Sequence, residues 1–143
     1  MRSYTITPVH AGQPVWTEVP ALSVGHVLWL PDTGVRMEQQ MCYDAEYLYV
    51  RQQAWERNIR AEHTGQLQQV CEDSCMEFFF SPVEGDLRYF NLEINPNAQM
   101  YIGFGLNGKN LIRLAIPDED ALLHNTCNYT ETAGKPSIPS PCP

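Results

Sequence analysis

The chain has no run of apolar residues approaching a membrane span, and its first eight residues, Met1 to Pro8, lack the continuous apolar core of a signal peptide. It is short of basic residues as well. Nine Lys and Arg stand against 17 Asp and Glu, for a net charge of −8, and no basic cluster is present that could follow a phosphate backbone. Nucleic acid and membrane are therefore excluded as expected partners, and the chain reads as a soluble protein with a cytoplasmic location favoured. The four histidines show no HExxH spacing, no serine sits in GxSxG, and the aspartates form no EF-hand loop. A Ca²⁺ site is left open only as an assembly in space. The five cysteines, Cys42, Cys71, Cys75, Cys127 and Cys142, form no CxxC pair, so reduced thiols are expected.

What is present suits β structure. At 143 residues and 43% hydrophobic, the chain can bury one core but not two ordinary ones, and its 11 prolines and 9 glycines punctuate short apolar stretches. A single domain over 1–131 is expected, followed by a proline-rich arm over 132–143. The turn residues Asp44-Ala45-Glu46 separate Val35–Tyr43 from Tyr47–Trp55 and predict a hairpin. Residues 56–70 keep neither helical nor strand period and are expected to be a loop. Cys75–Ser81 and Arg88–Pro96 predict strands, the second with Phe90, Leu92 and Ile94 inward and Tyr89, Asn91, Glu93 and Asn95 forming a polar platform. Met100–Gly105 and Asn110–Ile116 predict two more, joined by an Asn107-Gly108 turn, with Gly103 and Gly105 marking a bulge or tight bend. Trp16 and Trp29 are expected in the core. Strand after strand without a long helix closes naturally as a two-layer sandwich.

Two chemistries fit these strands. Glu77 and Glu93 fall on consecutive strands, as an acid and base or nucleophile pair would in a glycosidase. Carboxylates on the solvated face of a sheet are ordinary, however, and no third group orients these two, so hydrolysis is the lesser reading. Sugar binding needs flat aromatic faces and planar hydrogen-bonding groups. Trp55, Arg51, Asn91, Glu93 and Asn95 supply those types.

Asp73-Ser74-Cys75-Met76-Glu77-Phe78-Phe79-Phe80 resembles the signature strand of family 9 carbohydrate-binding modules. Tyr47–Val50, Trp55–Ala61 and Tyr89–Asn95 resemble neighbouring parts of the same family, in its stand-alone bacterial branch, for a coverage of roughly 15–116. The resemblance implies a non-catalytic sandwich that grips glycan chain ends, with Glu77 matching the glutamate that hydrogen-bonds sugar hydroxyls. The family's sugar lies between two tryptophans. Here Cys71 stands at the first of those positions, and no tryptophan follows Trp55.

The expectation is thus an all-β, two-sheet antiparallel β-sandwich with immunoglobulin-like or jelly-roll-like layering, incomplete at one edge. Its function would be carbohydrate binding through Glu77, Trp55, Arg51, Asn91, Glu93 and Asn95. An open sheet edge would favour a homodimer. The alternatives are a glycoside hydrolase using Glu77 and Glu93, and an assembly or scaffold domain with a degenerate sugar site.

Overall fold

The computed structural model describes residues 3–10, 14–26, 34–65, 67–106, 108 and 110–115. Among them the chain is all-β, with only two single-turn 3-10 helices, Trp16–Glu18 and Val70–Glu72. Its two four-stranded, mainly antiparallel sheets agree with the expected sandwich class. The chain divides after Arg57 into two compact units, each holding one sheet.

In the first unit β1 (Thr7–Pro8), β2 (Leu22–Val24), β3 (Arg36–Tyr43) and β4 (Leu48–Trp55) form a sheet built on β3. β3 and β4 pair antiparallel over their full length, from Arg36↔Trp55 to Tyr43↔Leu48, as the hairpin pattern predicted. Asp44 makes the turn. Its Oδ1 accepts the backbone N–H groups of Glu46 and Tyr47, each at 2.8 Å, and its Oδ2 accepts the Tyr49 hydroxyl at 2.8 Å. An Asx side chain that replaces backbone partners in this way is why Asp is favoured at turns. On the other side of β3, β2 pairs antiparallel and β1 pairs parallel. Tyr4 ties the preceding segment down, since its hydroxyl donates to Pro20 O at 2.6 Å and accepts from Met41 N at 3.2 Å. Among the described residues of this unit, Val19, Met41 and Cys42 are the buried apolar ones. Trp16, expected in the core, is half-buried, and Trp29 lies outside the described residues.

In the second unit β5 (Met76–Phe80), β6 (Tyr89–Ile94), β7 (Met100–Gly105) and β8 (Ile112–Arg113) run in sequence order, every neighbour antiparallel. The register fixes two faces. Met76, Phe78, Phe80, Phe90, Leu92, Ile94, Met100, Ile102 and Phe104 share one, and along it Phe78–Phe80, Phe80–Phe90 and Phe90–Phe104 lie with ring centroids 5.4, 5.2 and 4.7 Å apart. Aromatic contacts at these spacings add to the apolar burial.

Three expectations need correction. The polar face of β6 is more buried than its apolar face: Asn91, Glu93 and Asn95 are all buried, while Phe90, Leu92 and Ile94 are only half-buried. The cause is the 58–74 segment, whose 3-10 turn at Val70–Glu72 packs on β6 and buries Val70. Gly103 and Gly105 sit in an unbroken ladder, opposite Asn91 and Tyr89, without a bulge. They are small because a Cβ at Gly103 would come within 2.9 Å of the Tyr101 hydroxyl and of Leu111, and one at Gly105 within 2.9 Å of Asn110 O. The β7–β8 hairpin is present, but its strands end at Gly105 and resume at Ile112, a longer connection than a two-residue turn. Asn107 itself, the 131 boundary and the 132–143 arm lie outside the described residues.

Candidate functional site

The Asp-Ser half and the Cys-Met-Glu half of the signature do different work. The Asp73 carboxylate, fully buried, accepts Glu62 N at 2.9 Å, His63 N at 3.0 Å and Asn95 Nδ2 at 2.9 Å, with Arg60 Nε 3.9 Å away. Burial alone would raise its pKa. The two backbone N–H bonds and the Asn95 amide outweigh that, and the carboxyl is held below its ordinary value. Ser74 completes the tie, with its Oγ accepting Arg60 N at 3.0 Å and its N–H reaching Arg60 O at 2.9 Å. Together they bind the 58–74 segment to the sheet.

Asn95 belongs to this tie. It is fully buried, gives Nδ2 to His63 O at 2.8 Å as well as to Asp73, and accepts Gln99 N at 2.9 Å through Oδ1. Both ends of its side chain are therefore committed to holding the segment and the β6–β7 turn.

One rung further along, Glu77 and Glu93 stand directly opposite each other on β5 and β6, with Tyr101 next in the row on β7. Glu77 and Phe79 project from β5 on the side shared by Asn91 and Glu93, because residues two apart on a strand face the same way, and Cys75 lies just before the strand. Donor atoms of Cys75, Glu77 and Glu93 all lie within 4.8 Å of one another, and the Cys75 thiol donates to Glu77 Oε1 at 3.7 Å. Asn91 gives Nδ2 to Glu93 Oε1 at 2.7 Å, while its Oδ1 is buried and accepts nothing.

The electrostatics follow from burying like charges side by side. Desolvation raises the Glu77 carboxyl, offset in part by the Cys75 thiol. Desolvation also raises Glu93, and Glu77 adds to this, against the Asn91 amide and Arg113, which lower it. The Cys75 thiol is pushed far up by burial and by both glutamates. Among the described residues, Arg113 on β8 brings positive charge to this face. Its guanidinium lies 5.2 Å from the Tyr101 ring centroid and is aimed by Leu67 O at 3.1 Å and by Gln69 Oε1.

Next to the carboxylates lies an aromatic pair that sequence reasoning left out of the site. Phe79 is 52% exposed, directly across from Asn91, and its ring centroid is 5.8 Å from that of Tyr89 at a 55° tilt. Alternation already put Tyr89 on the right face. Phe79 was hidden in an unbroken aromatic run, and Arg113 in a strand whose face no polar pattern marks.

Of the residues expected at the site, the structure brings Glu77, Asn91 and Glu93 together and places Asn95 in the adjoining tie. Arg51 and Trp55 are on β4, in the first unit. Trp55 is 41% exposed, but the Arg36 guanidinium lies over its ring, 4.0 Å from the centroid. Arg51 reaches Gln40 Oε1 at 3.5 Å and lies over Trp16 at 5.8 Å. Of the cysteines, Cys42 and Cys75 are free thiols as expected, but Cys71 is disulfide-bonded, which overturns the all-reduced expectation. It is the middle residue of the Val70–Glu72 3-10 turn, and neither free thiol is its partner.

A polar row on one face of an antiparallel sheet, beside a tied loop, is a surface suited to holding a ligand. The chain belongs to carbohydrate-binding family 9, whose model matches residues 16–126, past the point near Ile116 at which the resemblance was expected to stop. A crystal structure from Bacteroides uniformis ATCC 8492, provisionally described as a carbohydrate-binding protein, is similar at 25% identity with a TM-score of 0.60. The similarity covers 70% of this chain but only 46% of that one, so the present chain corresponds to less than half of it. No curated protein matches.

Proposed function

We propose that the chain binds carbohydrate without altering it, through the face of the second sheet that carries Glu77, Asn91, Glu93, Phe79, Tyr89 and Arg113. The observation that carries this reading is the Glu77–Glu93 rung beside an exposed aromatic pair. Carboxylates accept hydrogen bonds from vicinal hydroxyls, Arg113 can donate to ring or hydroxyl oxygens, and Phe79 offers the apolar contact that a pyranose needs. In this role Phe79 replaces the tryptophan whose position Cys71 occupies. Shoulder-to-shoulder carboxyls on one face suit gripping better than hydrolysis, in which the two groups flank the scissile bond.

A glycan array read with and without Ca²⁺, followed by calorimetry on the best ligand, tests the reading. Glu77→Gln and Phe79→Ala should each weaken binding about tenfold or more, the scale of one lost charged hydrogen bond or stacking contact. Unchanged affinity in both variants would sink it, and steady release of reducing sugar would replace it with the hydrolase. Arg51→Ala and Trp55→Ala in the same series decide whether the first unit adds to the grip.

Two further readings accompany this one. Among the described residues β4 pairs only with β3, which leaves Leu48–Trp55 as a sheet edge on which a second copy can pair. Light scattering across concentrations measures that dimer. The Cys71 disulfide favours an oxidising compartment over the cytoplasmic one expected from the sequence.

A further inference from the structure

The 58–74 segment is held unevenly. Its two ends are fastened by the Asp73 and Ser74 bonds to Arg60, Glu62 and His63, with a His63 Nε2 to Glu72 Oε2 contact of 3.0 Å beside them. The apex has less. Among the described residues of 64–70, hydrogen bonds stay within the segment, as where Gln68 Oε1 accepts Thr64 N at 2.9 Å and Gly65 N at 2.8 Å. The exceptions are the two that Arg113 donates, to Leu67 O and to Gln69 Oε1. Leu67 also stands at φ +61°, a backbone state that a leucine keeps when its surroundings enforce it. Beside the burial of Val70, the restraint nearest in sequence is the Cys71 disulfide. Cys42 and Cys75 are free, so of the chain's five cysteines Cys127 and Cys142, both outside the described residues, remain as its partner. Either one joins the chain just before β5 to the chain beyond β8, the strand that carries Arg113.

We propose that the Cys71 disulfide is a redox-sensitive latch on the ligand face: intact, it keeps the 67–70 apex in the turn that aims Arg113, and its reduction frees both. A dithiol opens the bond by exchange. One thiolate of the reductant attacks a sulfur to give a mixed disulfide, and its second thiol closes a ring. Cys71 and its partner are left as two thiols, with two electrons and two protons supplied by the reductant. Cys71 is half-buried, within reach of a small reductant. The nearby thiol does not compete, because burial and the Glu77 and Glu93 carboxylates push Cys75 far up and leave little thiolate to shuffle the bond from within. The Asp73 tie and the β5–β6 ladder involve no sulfur–sulfur bond, so reduction loosens the apex and spares the sheet.

The effect on sugar rests on the function proposed above, and the test separates the two. The intact chain is compared before and after treatment with dithiothreitol. Hydrogen exchange at the Leu67–Cys71 amides and phenylglyoxal labelling of Arg113 should each rise severalfold, while the Phe90–Ile94 amides keep their protection. Neither readout involves glycan. Affinity for the tightest oligosaccharide of the array should fall about tenfold on reduction, the scale of one charged hydrogen bond, and Arg113→Ala should bind weakly and equally in both states. Equal exchange at Leu67–Cys71 in the two states overturns the latch. So does a loss of β6 protection to the same extent, or an equal fall in affinity in Arg113→Ala. If exchange and labelling rise but no glycan binds either form, the latch stands and the sugar reading falls.

Discussion

The two sheets treat polar residues in opposite ways. On β3 and β4 the glutamines satisfy one another and the backbone: Gln52 Nε2 donates to Gln39 Oε1 at 3.0 Å, and Gln40 Nε2 donates to Trp16 O at 2.8 Å and Val19 O at 2.6 Å. On β5 and β6 the corresponding positions hold two carboxylates face to face, beside an amide oxygen with no donor. A ladder that closes its own hydrogen bonds contributes to the fold. One that places like charges under partial cover spends stability on something outside the chain, and this is how sites for ligands differ from structural networks.

The largest test of this contrast is at the boundary between tie and site. Asp73→Ala removes the acceptor of three buried N–H bonds and should cost about 3 kcal/mol or more, read as a lower urea midpoint. Its pH dependence has a definite sign. A carboxyl held below its ordinary value contributes stability above that value and loses it as pH falls through the lowered one, so the natural chain should weaken in strong acid where the variant changes less.

In the middle of the range stand Gln40→Ala and Glu93→Gln, which should move stability in opposite directions. The first leaves two backbone carbonyls without their donor and should cost about 1 to 2 kcal/mol. The second relieves a buried like-charge contact and should add about 1 kcal/mol at neutral pH while weakening glycan binding. Groups raised in the folded state, as Glu77 and Glu93 are, cost stability as pH rises through the raised value, so the gain in Glu93→Gln should vanish in acid. A loss of stability in Glu93→Gln would erase the contrast between the sheets. Smallest is Ala98→Gly in the β6–β7 turn, where φ is +57° and a Cβ is strained; relief of up to about 1 kcal/mol is expected by thermal denaturation.

Much of this was legible in the sequence because strand period is a local property. Alternation assigned both faces of β6 correctly, and Asp44 announced its own turn. The signature singled out Glu77, which stands opposite Glu93 on the paired strand. Which face lay deeper was not legible, since that depends on where the 58–74 segment folds, and its anchors, Asp73 and Asn95, are 22 residues apart. The disulfide at Cys71 was hidden for the same reason: pairing is a matter of distance in space, and spacing along the chain does not report it. Phe79 and Arg113 escaped because one sits in an aromatic run without period and the other on a two-residue strand.

Gly103 has a consequence for recognition itself. By leaving its position empty it lets the Tyr101 ring lie along the strand, where Leu111 also closes in, while the Arg113 guanidinium rests over the ring. A tyrosine and an arginine held in this way have already given up most of their rotational freedom before any ligand arrives. Ordering such side chains otherwise opposes association by about 0.5 to 1.5 kcal/mol each. On the proposed sugar face, the missing side chain at 103 would thus contribute preorganisation of its neighbours rather than contact.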